Sequence, residues 1–387
     1  MIKQSEIKRL DIFWWLTKLL LKFLALWPVF DNDLLSTRIS NNIHLFIIAI
    51  GTIYQIIGMT AMCYINFTDF LSAAESIGPM MGLYISFGKI CLYRYQRFKL
   101  AHLAQSIENS INNEKCDEYE YLEKFASVGG IACGSLHCVC LILTLGYLSY
   151  PSFTSERMLP FAVYYPWDWK NSTIFYIISY SHEVMITLLL TSANATEFTF
   201  VWAICHCCAR LKVVQKKLTK LSMDSNEYNK QEFKQIISSF VKIHSNVLSD
   251  VEIINGAYTY IIFLLFLAAV VAICCAGLQI TSPSAKSSYA VLFLLLAIYF
   301  AEQLLFYYLP GDILAEEALA VSFAVYSCGW QSFEIKHQKT MSLVIMKSNV
   351  PLKLLAGNLS PLRLENYASF LATTMSYFTS IKAVTSN

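Results

Sequence analysis

Six stretches of this chain run for about twenty residues or more with almost no charge, the length an α-helix needs to cross the hydrocarbon core of a bilayer. They fall at 40–64, 69–93, 126–150, 173–202, 255–281 and 289–309. A seventh and less hydrophobic stretch, 364–385, brings the expected number of spans to seven. Composition agrees: 56% of the 387 residues are hydrophobic and 14% are charged, against about 25% charged in a soluble domain. Lipid is therefore the solvent for most of the chain, and the expected fold class is an all-α integral membrane protein. A net charge of +2, with no basic residues clustered around aromatics, gives no nucleic-acid signature.

Orientation follows from the connections. With the N-terminus in the cytosol, segments 1–38, 94–125, 203–254 and 310–361 lie inside and hold 23 of the 29 Lys and Arg residues. The outer segments hold 4. The C-terminus is then extracellular. Two glycosylation sequons, at Asn66 and Asn171, fall in outer loops and are candidate acceptor sites. Those at Asn194 and Asn358 fall in a span and inside, and are discounted.

The expected organisation has four parts. Residues 1–38 form a cytosolic segment whose apolar run, broken by Lys18 and Lys22, suits an interfacial helix. Residues 39–309 form a six-helix bundle with cytosolic helical extensions. Residues 310–361 form anchor helices, because the stretch GDILAEEALAVSFAVYSCGWQSF is too apolar to stay uncovered in water. Residues 362–387 form the seventh helix and a short outer tail.

The N-in, C-out orientation argues against a G-protein-coupled receptor, as does the lack of Asp/Glu-Arg-Tyr after the third span. Catalytic signatures are absent: the sequence has no Gly-x-Ser-x-Gly, no His-Glu-x-x-His and no phosphate-binding glycine loop. The CHCC run at 205–208 lacks zinc-pair spacing. No cofactor or metal is expected, and packing or lipidation of Cys205, Cys207 and Cys208 are the readings left. Among charges within spans, Lys89 and Glu75 sit near membrane edges, where snorkelling is cheap. Glu183 and Glu302 lie deeper and need a partner.

Three stretches carry a family resemblance: LPFAVYYPWDWKNSTIFY, GDILAEEALAVSFAVYSCGW and VPLKLLAGNLSPLRLENYASFLATTMSYFTS. Together they resemble the insect odorant receptors. The resemblance implies a ligand-gated, non-selective cation channel of four subunits at the plasma membrane of a sensory dendrite. The seventh span would line the pore and the cytosolic helices would join the subunits. Segment 203–254 is short beside the enlarged loop of the family's co-receptor, so the chain is expected to be a tuning subunit that assembles with that co-receptor. A gustatory-type receptor channel and a secondary transporter are the rival readings. Neither the gustatory family's Thr-Tyr and Gln-Phe ending nor inverted repeats are found.

Read at 100° per residue, Ser369, Thr373, Ser376 and Ser380 share one strip of the seventh helix, with Val384 one turn further on. These five are the candidate pore-lining residues. Helix packing, with hydroxyls bonded to the carbonyl four residues back, is the alternative. The family's gate tends to hold a bulky aliphatic where Ser380 aligns. A partner subunit, Ile381 or Val384 would then have to supply the gate.

A small volatile organic ligand needs a concave, mostly apolar pocket. In the outer halves of the spans the candidate lining residues are Ile77, Gly78 and Met81, then Leu141, Thr144, Leu145 and Leu148. Tyr176, Tyr180, Tyr289 and Phe293 complete the set. Pro79 is expected to bend the second span.

Overall fold

The computed structural model describes residues 2–27, 35–66, 70–112, 117–223, 230–282, 287–350 and 352–385. Helices dominate: α1 (Ile2–Phe23), α2 (Leu35–Ile65), α3 (Phe70–Tyr95), α4 (Arg97–Asn112), α5 (Asp117–Ser149), α6 (Thr173–Ser192), α7 (Ala195–Met223), α8 (Lys230–Thr281), α9 (Ser287–Ser327), α10 (Ile335–Ser348) and α11 (Leu364–Thr385). A two-residue hairpin, β1 (Leu355–Ala356) with β2 (Ser360–Pro361), precedes α11.

Five of the described helical segments are long and apolar enough to cross a membrane on composition alone. They contain α2, α5, α6 with α7, α8 and α9. α3 and α11 complete the seven spans; one carries Lys89 and Arg94, the other a line of hydroxyls. The outward face of α2 shows why lipid suits it. Ile39, Ile43, Phe46, Ile50, Ile53 and Ile57 are all exposed at helical spacing.

The expected span 173–202 is two helices. α6 stops at Ser192 and α7 starts at Ala195, with Ala193 capping the break through its N–H to the Leu190 carbonyl, 3.0 Å. α8, at 52 residues, is about 78 Å long, more than twice the ~30 Å hydrocarbon core. Its first half therefore stands outside the membrane. There it packs with α7 and the distal part of α9, and α10 lies against α9. This is the cytosolic helical layer, and it accounts for the apolar 311–333 stretch: Leu314, Ala318, Val321 and Val325 are all buried.

α1 does more than lie at the interface. Its Trp14 is buried and packs edge-on to Trp202 of α7, ring centroids 5.4 Å apart. Trp15, Leu19 and Phe23 stay exposed on the other face. Cys205, Cys207 and Cys208 are buried in the α7 packing, so none of these three thiols is presented on the surface for lipidation.

The hairpin fixes where α11 begins. Its turn places Gly357 and Asn358 at φ of 59° and 60°, the left-handed region open mainly to glycine and asparagine. A Cβ on Gly357 would also stand 2.7 Å from the Phe263 ring. Gly357 N–H donates to the Thr259 carbonyl at 2.9 Å, and Leu355 N–H to Asn255 Oδ1 at 2.8 Å, so the hairpin is docked on α8. Arg363 then pairs with Asp312 of α9 at 2.9 Å.

Candidate functional site

A cavity of about 90 Å³ lies in the outer-to-middle part of the bundle. α2 supplies Gln55 and Met59, α3 supplies Pro79 to Ser86, and α5 supplies Cys140, Leu143, Thr144 and Tyr147. Ile186 to Thr191 of α6 and Leu296, Tyr299 and Phe300 of α9 close it. The wall is apolar apart from a few hydroxyls and one amide. Thr144 Oγ1 and Thr191 Oγ1 are 2.9 Å apart. Since Thr191 spends its proton on the Thr187 carbonyl at 2.9 Å, Thr144 is the donor of that pair.

A second chamber of about 280 Å³ sits above it, under the loop after α5, and shares Met59, Pro79, Tyr147 and Phe161 with the first. Tyr147 and Phe161 stack with centroids 5.0 Å apart and so form the partition between the two. The loop is held down from below. Buried Glu183 accepts the Phe161 N–H at 2.9 Å, and Tyr164 N–H donates to the Gly58 carbonyl at 3.0 Å. The lower chamber as it stands is smaller than the ~150 Å³ apolar cavity that holds a benzene ring. The two chambers joined fall inside the range of small-molecule sites, ~300–1,000 Å³.

The cavity floor is wired to a buried ion pair. Tyr299 O–H donates to Asn194 Oδ1 at 2.8 Å, in the break between α6 and α7. Gln303 Nε2 donates both to the Tyr299 oxygen, 3.0 Å, and to Glu197 Oε1, 3.2 Å. Glu197 also receives Tyr307 O–H at 3.2 Å and pairs with Lys89. Lys89 is 1% exposed, so it does not snorkel to the edge: it is committed to Glu197, a carboxylate that hydropathy alone did not single out.

The residues expected around a ligand are placed as follows. Thr144 is on the cavity wall. Leu141 and Leu145 are exposed on the outer face of α5, and Leu148 is half-buried, with its carbonyl accepting Tyr180 O–H at 2.6 Å. The wall is a face of α5 rotated by one residue, about 100°, from that set. Ile77 and Met81 are half-buried against the core, and Gly78 faces Leu296 of α9. Tyr176 donates to the Met158 carbonyl at 3.2 Å, and its ring lies 5.8 Å from that of Tyr180. Phe293 is buried one turn outside the part of α9 that lines the cavity. The Tyr289 side chain lies outside the described residues. Sequence reasoning did not single out Gln55 or Tyr147 and took Asn194 only as a discounted sequon; the signal was an isolated polar or hydroxylated residue in an apolar helix.

α11 packs with its other face. Phe370 and Thr374 are buried, Phe370 lies 5.0 Å from Phe266 of α8, and Phe378 covers Gly277. Ser369, Thr373, Ser376, Ser380 and Val384 all point away from their own protomer. Each of the four hydroxyls donates to the carbonyl four residues back, at 2.8 to 3.1 Å. Asn171 is exposed and its amide donates to Asp168 at 2.7 Å. Asn66 is half-buried, and the rest of its sequon lies outside the described residues.

Seven spans, with a mostly apolar cavity lined by α2, α3, α5, α6 and α9 and a helical layer on the cytosolic side, define a polytopic α-helical membrane protein. The family model described as 7tm odorant receptor matches residues 66–375. The chain belongs to that family. Odorant receptor 30a of Drosophila melanogaster is 26% identical over 254 residues, which is 64% of this chain and 64% of that relative. Odorant receptor Or2 of Anopheles gambiae is 23% identical over 353 residues, 85% of this chain and 92% of that one. Among solved structures, the insect olfactory receptor OR5 of Machilis hrabei in complex with eugenol shares the fold with a TM-score of 0.81 at 14% identity, covering 98% of each chain.

Proposed function

We propose that this chain is a tuning subunit of an odorant-gated, non-selective cation channel in the plasma membrane of a sensory dendrite. It assembles with a co-receptor, four subunits around one pore lined by α11. The observation that carries this reading is the outward hydroxyl edge of α11. In lipid such an edge turns to water or to a neighbouring subunit, and here it faces away from its own core. The tuning role is supported by the connection between α7 and α8, which runs only from Met223 to Lys230.

A small volatile ligand occupies the cavity under the outer loop. The lower chamber must expand to admit it, and swinging the Tyr147–Phe161 stack aside joins it to the upper chamber. A conformational change that depends on ligand then follows, provided the expanded form is also the open form. Gating passes from the Asn194 break to Tyr299 and along α9, whose Asp312 pairs with Arg363 just before α11. Asn171, exposed on the outer loop, is the better placed glycan acceptor of the two.

Co-expression with a co-receptor subunit in a voltage-clamped cell tests the reading. Odorant-evoked cation current is expected from the pair and absent from this chain's partner alone for the same odorant. A pair that reaches the surface and answers no member of a broad odorant panel would overturn it.

A further inference from the structure

Two polar groups on the cavity wall have no partner. Gln55 is 2% exposed and its Oε1 receives no hydrogen bond; Tyr147 is 6% exposed and its O–H makes none. Both residues line the lower chamber, Gln55 from α2 and Tyr147 from α5, and Tyr147 lines the upper chamber as well. Buried polar atoms of this kind are nearly always satisfied, by protein, water or ligand. Thr144, whose proton goes to Thr191, adds a third oxygen with free lone pairs on the same wall. Two of the three, Gln55 Oε1 and Thr144 Oγ1, can only accept toward the cavity. Tyr147 can donate or accept.

The geometry points to a volatile alcohol as the ligand class that this cavity prefers, with Gln55 and Tyr147 as the residues that set the preference. This rests on the cavity being the ligand site. A hydroxyl is the smallest group that both donates and accepts: it gives its proton to Gln55 Oε1 and takes the proton of Tyr147. An ether or carbonyl of the same size can satisfy Tyr147 but not Gln55. A hydrocarbon satisfies neither, and it displaces whatever water serves these groups without replacing the hydrogen bonds. Each net hydrogen bond corresponds to about a tenfold change in affinity. The expected order is alcohol over ether over hydrocarbon, with about tenfold at each step.

Benzyl alcohol, anisole and ethylbenzene have nearly equal size and serve as the probes. They are tested as agonists on the full-length chain with its co-receptor, and for binding to the purified chain by competition with a fluorescent apolar dye. Gln55→Met is expected to erase the alcohol-over-ether step and keep the ether-over-hydrocarbon step. Tyr147→Phe is expected to erase the second step. Surface labelling confirms that each variant is folded. If either variant is not delivered, the wild-type order of the three probes decides alone. Equal potency and binding of all three probes on the wild type overturns the inference, as does an order that both delivered variants preserve. Ordered binding without any current leaves the ligand class standing and sinks the channel reading instead. If no probe binds the purified chain, the ligand class falls.

Discussion

Lys89 of α3 and Glu197 of α7 form an ion pair with side chains 1% and 0% exposed, and Gln303, Tyr307 and Thr196 direct further donors to the same carboxylate. Such a pair holds α3, α7 and α9 in one register. Removing one partner strands a buried charge, at a cost of about 3–5 kcal/mol, whereas replacing both is far cheaper. Lys89→Met is expected to abolish surface delivery, and Lys89→Met with Glu197→Gln to restore much of it. Surface biotinylation reads both. Wild-type delivery of the single variant would show that the pair carries no structural weight.

The α11 edge predicts a pattern of accessibility. In the assembled channel, Ser369→Cys, Ser376→Cys and Ser380→Cys should react with a small charged thiol reagent from the bath and lose current. Thr374→Cys, on the buried face, should not. Equal reactivity of both faces would place the pore elsewhere.

The Tyr147–Phe161 stack is expected to control access. Phe161→Ala removes a ring from the partition and joins the chambers, so the response should start sooner and extend to bulkier odorants, with maximal current little changed. Onset kinetics under fast ligand application would show it; a loss of all response would instead assign Phe161 to gating.

Gly357 tests the link between anchor and pore helix. Gly357→Ala combines a left-handed backbone with a contact of 2.7 Å to Phe263, a cost of about 1–3 kcal/mol. Reduced thermal stability of the detergent-solubilised chain and weakened current are expected, with ligand binding retained.

The cytosolic side holds a pH-dependent cluster. Burial pushes the Glu118 carboxyl up, but the His206 ring at 3.0 Å, the Ser110 hydroxyl at 2.7 Å and the Arg210 guanidinium outweigh it, leaving Glu118 below the usual carboxylate range. A depressed folded-state pKa contributes stability that is present above the ordinary carboxylate value and is lost as pH falls through the folded one. Glu118→Gln should therefore lower the thermal midpoint at pH 7 and flatten its decline as pH falls below the ordinary carboxylate value. An unchanged slope would remove Glu118 from the titrating groups that matter.

The sequence by itself determined the class of fold. Apolar runs of bilayer length, the bias of Lys and Arg to one side and the LAGNLSP stretch before the last helix are local patterns, because the bilayer acts on each segment separately. The hydroxyl strip of α11 was equally legible, since one helix's geometry decides which residues share a face. Tertiary structure decided the rest. Whether Leu143 or Leu145 faces the cavity depends on a rotation of α5 that only its neighbours set. The break after Ser192, the pairing of Lys89 with a glutamate 108 residues away and the unpartnered Gln55 and Tyr147 are relations between helices. A single span in lipid has no preferred rotation until another helix gives its polar groups somewhere to go.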